Sequence, residues 1–281
     1  HPRVRRQRQM CIRDRFIITC FLLLISSCET TNKLVSELTI ISVNDFHGAL
    51  DESDGKYGVA RLANSISAET KNSEASILVS AGDMFQGTAL SNYDHGKTVI
   101  DIMNKMKFDA MVIGNHEFDW GYEEIYKYVD GNDDNGEATF PFLGCNIIEK
   151  STGQRPVGID AYQIIKRGGL KIAIVGYMGE GNESDIAEAM IKDYEFANPI
   201  SYIKSTISDL RINQGVDVVI VSGHEGNGSN QMLASLAGDE RVDAIINAHT
   251  HSTYSGTITR SDGVKTVSYT HLRAHETELH L

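Results

Sequence analysis

The stretch Ala110-Met111-Val112-Ile113-Gly114-Asn115-His116-Glu117-Phe118-Asp119 decides how this chain reads. Its first half is a short apolar run bounded by Gly, the pattern of a buried strand. Its second half is dense in groups that ligate metals or move protons. Working outward, the same arrangement recurs. Leu38–Asn44 is β-branched and apolar and runs into Asp45-Phe46-His47-Gly48. Ile77–Ala81 ends at Gly82-Asp83, and Val216–Val221 at Gly223-His224. Asp243–Asn247 ends at Ala248-His249-Thr250-His251.

Helical spacing fills the gaps. Gly58–Thr70 places Val59, Leu62, Ala63 and Ile66 on one face, and Thr98–Lys107 does so with Val99, Ile102, Met103 and Met106. The methionines there read as core filler. A third helix starts at Pro199 and runs to about Asn213, with Gly215 as its stop. Phe140–Asn146 and Lys171–Gly176 read as further strands. Gly131–Ala138 reads as a solvated acidic loop rather than a calcium loop. Strands alternating with helices predict an α/β fold. Every polar cluster follows the carboxyl end of a strand, where open α/β sheets bind ligands.

A lone Asp-x-His, or a lone His after a strand, carries little information. Five such clusters in order point to one shared site. Together they offer oxygen and nitrogen donors and no thiolate. That set suits Zn, Mn, Fe or Co at a catalytic centre rather than a structural zinc.

Asn44-Asp45-Phe46-His47-Gly48, then Gly82-Asp83, Gly114–Asp119 and His249-Thr250-His251, resemble the calcineurin-like metallophosphoesterases. Within them the motifs are similar to the 5′-nucleotidase group, which includes UDP-sugar hydrolases and 2′,3′-cyclic nucleotide phosphodiesterases. The resemblance spans roughly residues 38 to 260 and implies a sandwich of two β-sheets flanked by helices. It implies that two divalent metal ions are held. Asp45, His47 and His251 would take the first, Asn115, His224 and His249 the second, and Asp83 would bridge them. Two cations about 4 Å apart need a shared anion and lower the pKa of a shared water that attacks phosphorus. His116 and Asp119 would be catalytic without ligating: the His faces the phosphoryl group and the Asp orients its imidazole. The alternative for Asp119 is a cap on a helix starting near Gly121. Glu117 and Phe118 read as packing around the site, His95 as a surface residue outside every motif, and Glu225 as a possible support for His224. One departure stands out: the family has Gly where this chain has Ala248, and a methyl group there could crowd the backbone.

The chain has 281 residues, enough for one large α/β domain or two small ones, and a net charge of −12. That acidity speaks against nucleic acid as the main partner. A small anionic substrate remains compatible, because a bound cation dominates the field at its own site. Of the four cysteines, Cys11, Cys20 and Cys28 precede the globular part, so no disulfide framework is expected, and Cys145 reads as a small core residue.

Residues 1–15 and 268–281 are expected to be non-native, because Gln9–Arg15 and Val267–Thr277 resemble translated sequencing-adapter DNA. His271, His275 and His280 are therefore not counted as ligands. Residues 16–37 read as a secretory leader and tether: Phe16–Ser27 is apolar, and Ile25-Ser26-Ser27-Cys28 resembles a bacterial lipobox in which Cys28 is lipidated. Residues 38–267 would form the catalytic domain, lacking its last strands and the nucleoside-binding domain that follows in the family. The expected protein is thus an exported, lipid-anchored enzyme of the cell envelope that releases phosphate from nucleotides. Other readings are a cyclic-nucleotide, nucleotide-sugar or thiosulfate-ester hydrolase, a non-catalytic envelope binding protein, and a DNA-repair nuclease. The export signal and acidity speak against the last.

Overall fold

Alternation within each strand sorts the side chains into layers. In the computed structural model, which describes residues 35, 37–52, 58–270 and 278–280, the chain runs as follows. The first half comprises β1 (Glu37–Ser42), α1 (Val59–Asn72), β2 (Ser76–Ser80), α2 (Ala89–Tyr93), α3 (Lys97–Met106), β3 (Ala110–Val112) and α4 (Tyr122–Tyr126). Then come β4 (Phe142–Leu143), β5 (Ile147–Glu149), β6 (Ile159–Asp160), β7 (Tyr162–Arg167), β8 (Leu170–Met178), α5 (Glu188–Ile191) and β9 (Tyr194–Phe196). The last part holds α6 (Pro199–Ile212), β10 (Val218–His224), α7 (Asn230–Ser235), β11 (Ala244–Asn247), β12 (Ser255–Thr259), β13 (Lys265–Tyr269) and β14 (Glu278–His280).

Two six-stranded sheets result, ordered β14-β1-β2-β3-β4-β6 and β12-β13-β11-β10-β8-β7, with β5 and β9 as a separate pair. In the first sheet β1, β2, β3, β4 and β6 are parallel and β14 is antiparallel to β1. In the second, β8, β10, β11 and β13 are parallel, with antiparallel strands at both edges. Leu38, Ile40, Ile77, Val79, Ala110 and Val112 from the first sheet meet Ile172, Ile174, Val218, Ile220, Ala244 and Ile246 from the second. Intervening residues face outward. Leu78 and Met111 pack with Ile66 of α1 and Val99 and Met103 of α3. Val175, Val219, Val221 and Ile245 pack with Ile203, Ile207 and Leu210 of α6. The α/β class and two-sheet sandwich expected from the sequence are present, and helices cover both outer faces.

Two expectations need correction. Phe140–Asn146 is not one strand. β4 stops at Leu143: the Gly144 N–H still meets the Asp160 carbonyl, but the Cys145 N–H turns to the Gly176 carbonyl of β8, and the Asn146 side chain donates to the Met178 and Ala197 carbonyls and accepts from the Met178 N–H. The strand expected over Val216–Val221 runs instead from Val218 to His224, since pairing with β8 continues to His224 opposite Met178. β13 runs across the boundary expected at 267, through Ser268 and Tyr269, and Tyr269 is buried between the sheets.

The leader and its Cys28 lie outside the described residues, and among those described no helix is long and apolar enough to cross a membrane. Cys145 is buried, and burial pushes its thiol up to about 12, as suits a core residue.

Candidate metal centre

Five strand ends from both sheets deliver the site. Asp45 and His47 follow β1, Asp83 follows β2, and Asn115 and His116 follow β3. His224 closes β10, and His249 and His251 follow β11. Asn44 ties these ends together: its Oδ1 accepts from the Ala81 N–H at 2.8 Å and its Nδ2 donates to the Asn247 carbonyl at 3.2 Å. One side chain thus bridges the two sheets directly beneath the donors.

The local backbone is unusual. Seven non-glycine residues among those described have positive φ, and five of them are Asp45, His47, Asp83, His249 and His251. A left-handed non-glycine residue costs about 1–2 kcal/mol and persists where its surroundings over-determine it. Here the Asp45 N–H donates to the Gly82 carbonyl at 3.0 Å and the His47 N–H to the Asp83 carbonyl at 3.0 Å. The His249 N–H donates to Asp45 Oδ1, also at 3.0 Å. Two glycines permit the close crossing underneath. A Cβ on Gly82 would lie 2.7 Å from Gly114 N, and one on Gly114 would lie 2.3 Å from Asp83 Oδ1.

The donors fall into two groups, Asp45–His47–His251 and Asp83–His224–His249. His47 Nε2 lies 3.1 Å from His251 Nε2. In the second group, Asn115 Oδ1 is 2.9 Å from His224 Nε2 and 3.1 Å from His249 Nδ1. Asp83 Oδ2 lies between the groups, 3.1 Å from His224 Nε2 and 3.9 Å from His47 Nε2. Its other oxygen is fixed by the His116 N–H at 3.0 Å. All seven residues singled out from the sequence are therefore together.

The chemistry of this set fits cations. His47 Nδ1 is 2.8 Å from the Gln86 carbonyl, and His224 Nδ1 is 2.8 Å from the Ala81 carbonyl. A carbonyl can only accept, so both Nδ1 atoms carry a proton, and a cation that displaces any proton from Nε2 meets that nitrogen's lone pair. Around His224 Nε2, a carboxylate oxygen and an amide oxygen also converge. Three acceptors so close repel one another unless positive charge lies among them. Burial opposes charge on His224, yet Asp83 outweighs it and holds the imidazole above its ordinary range. Burial likewise opposes the Asp83 carboxylate, but His224 and the His116 N–H hold it below its usual range.

Beside the first group stands His116, its ring 5.4 Å from that of His47. Asp119 Oδ2 meets His116 Nδ1 at 2.8 Å. The hydrogen bond to Asp119 is the main cause that raises His116 to about 9. Asp119 does not cap the following helix: α4 begins after Gly121 with no side-chain cap.

Glu117 does more than pack. Its buried carboxylate accepts from four backbone N–H groups: Asp83 at 2.9 Å, Gly114 at 2.8 Å, Met84 at 2.8 Å and Phe85 at 3.2 Å. It therefore staples the loop after β2 to the loop after β3. Burial, with help from the Asp83 charge, pushes Glu117 up to about 7, while these donors pull it down. A protonated carboxyl would set its own O–H against N–H donors, so the geometry belongs to the ionised form.

Other expectations resolve differently. His95 is not a free surface residue: it stacks on Trp120 with ring centroids 4.8 Å apart, and its Nδ1 meets Glu124 at 2.8 Å. Glu225 is engaged by the Tyr177 and Ser229 hydroxyls rather than by the His224 ring. The Ala248 methyl does not crowd the donors, because it points into the core between the sheets. Sequence reading missed Asp185, whose Oδ2 is 3.6 Å from His249 Nε2; it lies in a polar turn, with no strand-end pattern to mark it.

The calcineurin-like phosphoesterase family model matches residues 38–253. The chain belongs to this family. The family uses two divalent cations, and the chain presents two donor groups suited to them. Among relatives, a snake venom 5′-nucleotidase from Crotalus adamanteus is 30% identical over 228 residues, covering 77% of this chain and 37% of that protein. Endonuclease YhcR from Bacillus subtilis is 29% identical over 250 residues, covering 79% of this chain and 20% of that protein. Among solved structures, a 5′-nucleotidase precursor from Thermus thermophilus superposes with a TM-score of 0.71 at 22% identity, covering 83% of this chain and 48% of that one. The chain thus spans less than half the length of each of these three proteins.

Proposed function

We propose that the domain beginning at residue 38 is the catalytic part of an exported, metal-dependent phosphoester hydrolase that releases phosphate from 5′-nucleotides. The observation that carries this reading is the position of Asp83 Oδ2 between two donor groups, with the His116–Asp119 pair alongside. Asp45, His47 and His251 would hold one cation and Asn115, His224 and His249 the other, with Asp83 shared. When bound, the cations supply a Lewis-acid clamp on phosphoryl oxygens and an acidified water. The protein's own part is positional. The β1, β2 and β3 loops fix the donors before substrate arrives. Asp119 keeps His116 oriented through Nδ1, leaving Nε2 to hold a proton for the leaving oxygen.

Nucleotides are favoured as substrates by the likeness to the venom 5′-nucleotidase. A 2′,3′-cyclic nucleotide or a nucleotide sugar would use the same centre, and the likeness to YhcR makes a nuclease the competing reading. The lipobox-like leader supports export and anchoring through Cys28.

The test incubates the purified chain with Mn²⁺ or Zn²⁺ and follows phosphate release from AMP, and, by chromatography of the products, ring opening of 2′,3′-cyclic AMP, cleavage of UDP-glucose to UMP and glucose 1-phosphate, and cleavage of single-stranded DNA. Release from AMP supports the proposal. No turnover of any ester refutes it, and DNA cleavage without mononucleotide hydrolysis moves the function to a nuclease. In a bacterial host, palmitate labelling that disappears in Cys28→Ala would support the anchor.

A further inference from the structure

One acidic side chain faces the second donor group from behind. Asp185 closes a 3-10 turn, Asn182–Asp185, in the connection from β8 to α5. Its Oδ2 is 3.6 Å from His249 Nε2. The other nitrogen of that ring, Nδ1, is the one turned toward Asn115 Oδ1, on the side where His224 and Asp83 converge. The imidazole of His249 therefore stands between the donor group and a carboxylate.

This inverts the arrangement at His47 and His224. His47 and His224 give Nδ1 to a backbone carbonyl and present Nε2 to the site. His249 presents Nδ1 and turns Nε2 outward. A neutral imidazole has one N–H, and the partner of the outer nitrogen decides which atom keeps it. A carboxylate opposite Nε2 favours the proton there and leaves the Nδ1 lone pair for the site.

The turn that carries Asp185 is anchored to the same centre. Asn182 is buried, and its Nδ2 donates to the His224 carbonyl at 2.6 Å. Ile186, the next residue after Asp185, is buried in the core beneath the first sheet. Asp185 is thus held on both sides of its position in the chain, although its own side chain is 55% exposed.

We propose that Asp185 is a positioning residue for the metal centre, holding His249 in the Nε2–H form with Nδ1 turned to the second cation. The inference rests on the metal-site reading above. At 3.6 Å the contact is longer than a hydrogen bond; it is a charge–dipole attraction between the carboxylate and the ring N–H, and it is open to solvent. The effect therefore belongs at the low end of what outer partners of metal-bound histidines contribute, about tenfold in affinity.

The experiment titrates Mn²⁺ into the full chain and into Asp185→Ala and Asp185→Asn, with thermal unfolding as a control. Long-range ¹H–¹⁵N spectra of the histidine rings report the tautomers. For the wild type, two bound ions and a His249 protonated at Nε2 are expected. Asp185→Ala should weaken one of the two sites about tenfold, leave the other and the melting temperature unchanged, and populate both His249 tautomers. Asp185→Asn, which keeps an oxygen acceptor without the charge, should fall between. Two wild-type affinities in Asp185→Ala, or equal loss at both sites with a lower melting temperature, would overturn the proposal. A wild type that binds no Mn²⁺ would overturn the underlying metal-site reading as well, so the two failures are distinguishable.

Discussion

Removing the Glu117 carboxylate should damage stability and metal binding together. Its two oxygens serve four buried backbone N–H groups, and the side chain is 1% exposed. An unsatisfied buried donor costs about 1–3 kcal/mol, and the four are not independent because the loops can relax jointly. With the loops relaxing jointly, we take about 3–5 kcal/mol for Glu117→Ala, near the lower end of the range for four such donors. With a urea dependence of about 2 kcal/mol/M, the unfolding midpoint should fall by about 1.5–2.5 M. Glu117→Gln is the sharper test. Its amide oxygen can still serve two N–H groups, but its NH₂ must face the others, so about half the loss is expected. The loop after β2 carries Asp83, so Mn²⁺ affinity should drop in both variants. The assays are urea unfolding followed by circular dichroism, and calorimetric Mn²⁺ titration. A Glu117→Ala protein with the wild-type midpoint would refute the staple. A Gln variant as stable as the wild type would show that the acid is held protonated instead.

His116→Ala should lower turnover of p-nitrophenyl phosphate by about 10²–10⁴-fold while keeping both metals, since no donor is removed; metal analysis beside kinetics checks this. Asp83→Ala should release both ions and His251→Ala chiefly one, a difference read as bound Mn²⁺ per chain at fixed free metal. In protein stripped of metal, Asp119 raises His116 to about 9, above its ordinary 6.5. Because the folded value is raised, this stabilisation is complete below about pH 6.5 and is lost as pH rises through about 9. The melting-temperature gap between wild type and Asp119→Asn should therefore be wider at pH 6 than at pH 10. An equal gap would mean that the pair is not charged.

The sequence by itself determined the class of the fold and the identity of the donors, because both are written in short segments. An apolar run followed by Gly and then Asp, Asn or His states locally that a strand ends and what stands at its tip. That is why the clusters holding Asp45, His47, Asp83, Asn115, His224, His249 and His251 stood out from their neighbours, while the family resemblance supplied which of their residues ligate and how these divide into sets. Where a local pattern was misleading, partners distant in sequence had intervened: beyond Leu143 the backbone passes from Asp160 of β6 to Gly176 of β8. His95 looked unattached because Trp120 and Glu124 come from another element.

Only the tertiary structure decided what the donors do to one another. His47 and His251 are 204 positions apart in sequence and 3.1 Å apart in space, on strand ends from different sheets. No periodicity encodes that distance; it follows from two apolar sheet faces packing until their carboxyl edges align. The same packing places Asp83 between the groups, turns Glu117 inward onto four N–H donors, and brings Asp185 up behind His249. The chain states its chemistry in pieces a few residues long, and burial of the layer between the sheets assembles those pieces into a centre.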